Sequence, residues 1–250
     1  MTRQFAVLGS PIEHSKSPQI HRFVFEASGI DAEYGRFEVS ADLKGFLKAH
    51  EDFSGFSLTM PLKEQAFEIA ESLDSDAQAT GAVNTLLRTE TGWAGFNTDV
   101  AGIANAVDSE PESVAVIGSG ATARSALRAF PKSNRLIYAR NQVASHDLAE
   151  RFTAEVVDFD TALKAELVVS TVPKGALPEL LNGKTIAGAL LDCVYTNPQL
   201  PATKYISGLS MLIHQAMIQQ RIFQSGDALT PLNREQELVS ELMASLSMAK

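Results

Sequence analysis

Ile117-Gly118-Ser119-Gly120-Ala121-Thr122-Ala123 is the stretch that decides how this 250-residue chain folds. It follows the apolar run Ser113-Val114-Ala115-Val116 and opens a stretch of helical spacing that reaches about Phe130, so its glycines stand where a strand turns into a helix. That placement gives the pattern G-x-G-x-x-G/A its mechanical meaning. Gly118 allows the tight turn, Gly120 lets the backbone approach a pyrophosphate, and Ala123 is small enough for helix and strand to pack closely. The helix start, with Ser119, Ala121 and Thr122 in the same turn, offers free N–H groups and a positive dipole end to phosphates. The competing explanation is a glycine turn of a parallel sheet that binds nothing.

The next strand tests the type of dinucleotide. An NAD site usually carries Asp or Glu about 20 residues beyond the glycines. Here the chain reads Tyr138-Ala139-Arg140-Asn141. No acid is present, and the always-charged fork of Arg140 suits a 2′-phosphate. NADP(H) is therefore expected over NAD(H), unless Arg140 is only a solvated surface residue.

Strand and helix signals alternate on both sides of the loop. Upstream, strands are expected at Phe5–Gly9, Glu33–Val39, Ser54–Thr59 and Ala82–Arg88. Helices are expected with Ile20, Phe23, Val24 and Ala27 on one face, at Ala41–His50, at Glu64–Leu73 and after Asp99. Downstream, helix and strand recur at Arg135–Ala139, Ala144–Phe152, Glu155–Val157, Leu167–Thr171 and Ala187–Val194. Two helices, about Met211–Gln224 and Asn233–Met248, follow the Pro-rich stretch 197–201. Such alternation predicts two α/β domains, an N-terminal one with a mostly parallel sheet and a Rossmann-type one. The expected limits are 1–104, 105–207 and, for the C-terminal helices, 208–250.

Composition narrows the classes. Thirty acidic against 21 basic residues leave a formal charge of −9, which disfavours nucleic acid as a partner. No apolar run is long enough to span a membrane, and no signal peptide pattern opens the chain, so a soluble cytoplasmic protein is expected. The single cysteine, Cys193, excludes an internal disulfide and reads as a buried structural thiol rather than a nucleophile. The five histidines show no metal-ligand spacing.

Four segments of the first domain collect polar groups where apolar strands end. They are Gly9-Ser10-Pro11-Ile12-Glu13-His14-Ser15-Lys16-Ser17-Pro18, Gly55-Phe56-Ser57-Leu58-Thr59-Met60-Pro61-Leu62-Lys63, Gly81-Ala82-Val83-Asn84-Thr85 and Gly95-Phe96-Asn97-Thr98-Asp99. Singly they have plain structural explanations. Ser17 before Pro18 reads as a helix N-cap, Lys63 as a solvated first-turn lysine, Asn84 as a turn residue, and Asp99 as an N-cap.

Taken in this order ahead of the glycine loop, and continued by Gly208-Leu209-Ser210-Met211-Leu212-Ile213-His214-Gln215-Ala216, these segments resemble the shikimate dehydrogenase family over nearly the whole chain. The resemblance implies reduction of 3-dehydroshikimate to shikimate with NADPH, on the route to chorismate and aromatic amino acids, in a cleft between an N-terminal substrate domain, on which 208–250 pack back, and the Rossmann-type NADP-binding domain. It implies that Lys63 and Asp99 are the catalytic pair, and that Ser15 and Ser17 bind the substrate carboxylate, with Tyr195 nearby. Thr59, Asn84, Asp99 and Gln215 would hydrogen-bond the ring hydroxyls. Thr171, Val172 and Gly208 join the glycine loop and Arg140 as candidate cofactor contacts.

Three positions depart from the family pattern. Ser57 stands where asparagine is usual, Ala139-Arg140-Asn141 replaces Asn-Arg-Thr, and Ser210 replaces a common glycine. An NAD-dependent quinate/shikimate dehydrogenase and a non-catalytic dinucleotide-responsive protein are the competing readings. Arg140 argues against the first, and retention of Lys63 and Asp99 against the second. Monomer and homodimer are both compatible with the sequence.

Overall fold

The structure, a computed structural model, describes residues 2–195 and 199–248. Asn197 and Pro198 of the Pro-rich stretch lie outside the described residues. The chain divides into two compact units, Met1–Thr98 with Ile213–Lys250, and Asp99–Leu212.

The first unit contains β1 (Arg3–Gly9), α1 (Ser17–Ala27), β2 (Ala32–Glu38), α2 (Leu43–Ala49), β3 (Phe53–Leu58), α3 (Lys63–Ile69), β4 (Ser72–Leu73), α4 (Ser75–Thr80), β5 (Thr85–Arg88) and β6 (Trp93–Phe96). Its sheet runs β2-β1-β3-β5-β6-β4. β1 pairs in parallel with β2 and β3, and β4 with β6, while β5 is antiparallel to β3 and β6.

The second unit begins with α5 (Asp99–Val107), β7 (Ser113–Ile117), α6 (Ala121–Ala129), β8 (Asn134–Tyr138), α7 (Gln142–Phe152) and β9 (Glu155–Val156). It continues with α8 (Phe159–Ala162), β10 (Leu167–Ser170), α9 (Ala176–Leu181), β11 (Ala189–Asp192) and β12 (Lys204–Ser207). Helix α10 (Gly208–Ser225) starts in this unit and ends in the first, which also holds α11 (Glu235–Met248). The second sheet, β12-β11-β10-β7-β8-β9, is parallel throughout. Counted from β7, this is the three-two-one-four-five-six order of the Rossmann fold, and the order reverses between β7 and β10. Val114 to Ile117 and Leu167 to Ser170 are all buried, as parallel strands covered on both faces require.

The sequence reading needs correction where tertiary context decides. The expected helix Glu64–Leu73 stops at Ile69, and Ser72–Leu73 pairs with β6 as a short strand. Ala82 to Asn84 precede β5 rather than belonging to it, and β6 forms a hairpin with β5 through a turn in which the Thr89 N–H donates to the Gly92 carbonyl at 2.9 Å. Helices α4, α8 and α9 and strand β12 lack the periodicity that would announce them, being 4 to 6 residues long. On α1 the buried stripe is Ile20, His21, Val24 and Phe25, with Phe23 half-buried and Ala27 exposed. Cys193 is half-buried and packs against the core of the second unit.

Aromatic packing sets the position of α10 in the first unit. The Phe223 ring lies 4.7 Å from that of Phe5, which stacks on Phe25 at 5.2 Å. All three are buried, each contributing about 1.5–3 kcal/mol through the area removed from water. This clamp turns Gln215 and Gln219, one helical turn apart, toward β3 and β5.

Candidate active site

The start of α1 differs from the expected N-cap. Lys16 holds the cap position without a side-chain bond, Ser17 is the first helical residue, and Pro18 follows it. The Ser17 N–H donates to Ser15 Oγ at 3.3 Å, so Ser15 performs the local capping and Ser17 is left buried, 5% exposed. Both hydroxyls thus stay at the N-terminus of an 11-residue helix.

Thr59 leaves the end of β3 beside the end of β1, where its N–H donates to the Leu8 carbonyl at 2.9 Å. The Ser10 N–H donates to Met60 O at 2.9 Å, and both Ser10-Pro11 and Met60-Pro61 are cis. The approach is too close for a side chain on Gly9, because a Cβ there would lie 2.3 Å from Thr59 Cγ2 and 2.9 Å from Met60 O. Gly9→Ala should therefore displace Thr59, costing about 1–3 kcal/mol of stability and raising KM for the substrate that Thr59 is expected to contact. Denaturant unfolding and steady-state kinetics check both effects.

Lys63 is the first residue of α3 and half-buried, and its carbonyl accepts the Val83 N–H at 2.9 Å. That bond joins the second polar segment to the third. Asn84 is not a solvated turn residue but 1% exposed, with its N–H on the Phe96 carbonyl at 3.0 Å and its own carbonyl accepting the Leu58 N–H at 2.7 Å. Its Oδ1 accepts the Thr98 N–H at 2.9 Å and the Thr85 hydroxyl at 2.8 Å. Its Nδ2 donates to Thr98 Oγ1 at 2.9 Å and to Gln215 Oε1 at 3.3 Å. Asn84, Thr98 and Gln215 thus form one buried cluster, in which sequence reasoning had not singled out Thr98. Ser57, where asparagine was the expectation, is buried too, and its hydroxyl accepts from Tyr34 OH at 2.6 Å and donates to Gln219 Oε1 at 2.8 Å.

The remaining candidates belong to the second unit. Asp99 is buried, 5% exposed, as the first residue of α5. Tyr195 is half-buried in the turn after β11, and Gly208 opens α10 against the carbonyls of Asp192 and Cys193.

The residues of the glycine loop fit the phosphates of a dinucleotide. Gly118 has φ +125°, a conformation that side chains rarely adopt, and a Cβ there would meet Thr171 Oγ1 at 2.3 Å. Thr171 is fixed in turn, its hydroxyl and N–H both donating to the Ile117 carbonyl at 3.0 and 2.9 Å. A Cβ on Gly120 would meet no protein atom within 4 Å, so a ligand can approach the backbone there. Gly120 is the N-cap of α6 and makes no side-chain cap bond, while Ala123 is fully buried. Val172 is half-buried beside this end of the sheet. Asn141, by contrast, is occupied locally as the N-cap of α7, accepting the Ala144 N–H at 3.1 Å, and Arg140 before it is exposed.

Among the described residues no cluster of His, Cys, Asp or Glu could hold a metal ion, and no helix is long and apolar enough to cross a membrane.

Known proteins resemble this chain over nearly its whole length. A family model described as the shikimate dehydrogenase substrate binding domain matches residues 7–86. The NADP(+) shikimate dehydrogenase of Thermus thermophilus is 31% identical over 248 residues, covering 88% of this chain and 92% of its own. That of Oleidesulfovibrio alaskensis is 30% identical and covers 96% of both chains. Among solved structures, Mycobacterium tuberculosis shikimate dehydrogenase superposes with a TM-score of 0.86 at 32% identity, covering 97% of this chain and 99% of that one. The Thermus thermophilus shikimate 5-dehydrogenase solved in complex with NADP(H) and shikimate gives a TM-score of 0.81 at 29% identity, with coverage of 97% and 99%.

Proposed function

Because the chain belongs to the shikimate dehydrogenase family, we propose a division of labour among its residues for the NADP-dependent interconversion of 3-dehydroshikimate and shikimate that it catalyses. This oxidoreductase step lies on the shikimate pathway toward chorismate. The observation that carries the residue assignment is the buried cluster of Asn84, Thr98 and Gln215, joined to Lys63 through the Val83 N–H.

Met1–Thr98 with the C-terminal helices is the substrate domain, and Asp99–Leu212 the NADP domain. Ser15 and Ser17 hold the substrate carboxylate at the start of α1, where the helix dipole favours an anion, and Tyr195 adds a hydroxyl to it. Thr59 and Gln215 hydrogen-bond the ring hydroxyls, as does Asn84 by exchanging its 3.3 Å Nδ2 bond to Gln215 Oε1 for one of them.

Ketone reduction needs a hydride on carbon and a proton on oxygen. NADPH supplies the hydride when bound. The Lys63 ammonium donates to the carbonyl oxygen, stabilises the developing alkoxide and delivers the proton, and in the reverse direction it takes the proton back. Asp99, the second member of the catalytic pair, accepts a hydrogen bond from a substrate hydroxyl. Gly118 to Ala123 cradle the pyrophosphate, with Thr171, Val172 and Gly208 completing the cofactor site, and Arg140 pairs with the 2′-phosphate. The protein acts in the cytoplasm.

Initial rates with shikimate and quinate, each with NADP⁺ and NAD⁺, test the reading. Only shikimate with NADP⁺ should turn over rapidly, and equal use of both nucleotides would defeat the role of Arg140. Because Arg140 is exposed and has no part in the core, Arg140→Ala should leave the melting temperature unchanged. It should raise KM for NADP⁺ by about 10- to 100-fold, the worth of one charge-assisted contact, with KM for NAD⁺ unaffected.

A further inference from the structure

Behind the candidate substrate contacts lies a second polar cluster that the reaction does not use. Gln219, 2% exposed, stands at its centre. Its Oε1 accepts from Ser57 Oγ at 2.8 Å and lies 3.1 Å from His21 Nε2. Its Nε2 donates to the Asn84 carbonyl at 3.1 Å and to Thr85 Oγ1 at 2.9 Å.

The direction of each bond follows from the one before it. Gln220 presents its Nε2 to His21 Nδ1 at 2.8 Å, and its own Oε1 accepts from Gln224 Nε2 at 2.9 Å. An amide nitrogen can only donate, so Nδ1 is the acceptor and the neutral imidazole carries its proton on Nε2. Burial holds that imidazole neutral, with its pKa lowered to about 3, so the Nε2–H is a permanent donor at neutral pH. The Tyr34 hydroxyl donates to Ser57, which leaves the single Ser57 proton for Gln219. Gln219 Oε1 therefore accepts two bonds, and its nitrogen gives both hydrogens to Asn84 O and Thr85 Oγ1.

Thr85, having accepted, passes its one proton to Asn84 Oδ1 at 2.8 Å. The Thr98 N–H supplies the second bond to that oxygen. Asn84 Nδ2 is then forced toward Thr98 Oγ1 and Gln215 Oε1, and the Thr98 hydroxyl donates to the same Gln215 oxygen at 3.3 Å. Donation thus runs one way, from Tyr34 and His21 through Gln219 to Gln215. The Gln215 carbonyl is committed to this cluster, which fixes its NH2 group on the opposite side of the amide.

We propose that Gln219 is a positioning residue, which carries the donor polarity set by His21, Tyr34 and Ser57 to Asn84 and Gln215 so that Gln215 meets the substrate hydroxyl as a donor. The inference rests on the assignment of Asn84 and Gln215 to substrate binding made above. It also gives Ser57 a role: its hydroxyl faces the cluster and not the ligand.

Steady-state kinetics with shikimate and NADP⁺ tests the proposal. Gln219→Leu should raise KM for shikimate about tenfold or more, with KM for NADP⁺ unchanged within about twofold. In Gln219→Glu, the introduced carboxyl offers one proton when neutral and none when ionised. Its shikimate KM relative to the parent should therefore climb as pH rises through the titration of that carboxyl. Ser57→Ala should raise the same KM several-fold, and Ser57→Thr should restore it.

An unchanged shikimate KM in Gln219→Leu, or a parallel rise in both KM values, would overturn the positioning role. If Gln219→Leu does not fold, the pH dependence of Gln219→Glu and the Ser57 pair decide by the same criterion. Gln215→Ala separates the two levels of the argument. A normal shikimate KM in that variant sinks the substrate-site assignment itself. A raised KM there with normal values in the Gln219 and Ser57 variants sinks only the role of Gln219.

Discussion

Lys63→Ala should lower kcat by about 10²–10⁴-fold, the usual worth of a positioned general acid, with only a modest change in KM for shikimate. The structure indicates why this loss should be chemical rather than structural. Lys63 opens α3, where a cation opposes the helix dipole, so alanine costs the helix nothing and improves its propensity. The backbone bond from Val83 to the Lys63 carbonyl survives the substitution. A melting temperature equal to that of the parent, together with a collapsed kcat, is the expected pair of results. If KM rises alone, Lys63 binds the substrate without moving its proton, and another group must be the acid.

The second large effect concerns stability in acid. His21 is fully buried, stacked on Tyr34 with ring centroids 4.2 Å apart, and its Nδ1 is engaged as an acceptor. Burial lowers its pKa to about 3, against the opposing influence of the bond to Gln219, so the unfolded chain binds a proton that the folded chain refuses. Its contribution is fully present above the unfolded pKa of about 6.5 and is lost as pH falls toward 3, at about 1.4 kcal/mol per pH unit. Urea unfolding of the parent and of His21→Gln, whose amide can donate to Gln219 and accept from Gln220, should give ΔG lines that converge as pH drops from 6 to 4. Parallel lines would show that His21 takes up its proton without cost to the fold.

The tie between His21 and Gln219 spans 198 positions, and that between Asn84 and Gln215 spans 131. No reading of local pattern could find them, which is why Asn84 looked like a turn residue and Gln219 like one more polar residue of a helix. A trace of the second was visible in the four-residue spacing from Gln215 to Gln219, which puts both amides on one face. Ser57 is the instructive departure. It stands where asparagine is usual in the family, and its hydroxyl is used by Tyr34 and Gln219.

What the sequence determined by itself was whatever depends on a few adjacent residues. Gly118 at φ +125° could be foreseen because only glycine enters that turn cheaply, and β7 and α6 flank it as their periodicities predict. Arg140 likewise could be read from the end of one strand. The tertiary structure alone decided the β5–β6 hairpin, the conversion of Ser72–Leu73 from helix to strand, and the shift of the cap position at α1 from Ser17 to Lys16. It also decided which way the buried amides point. A buried amide has no preferred orientation of its own, and its donors and acceptors are assigned only when folding brings their partners within hydrogen-bond reach.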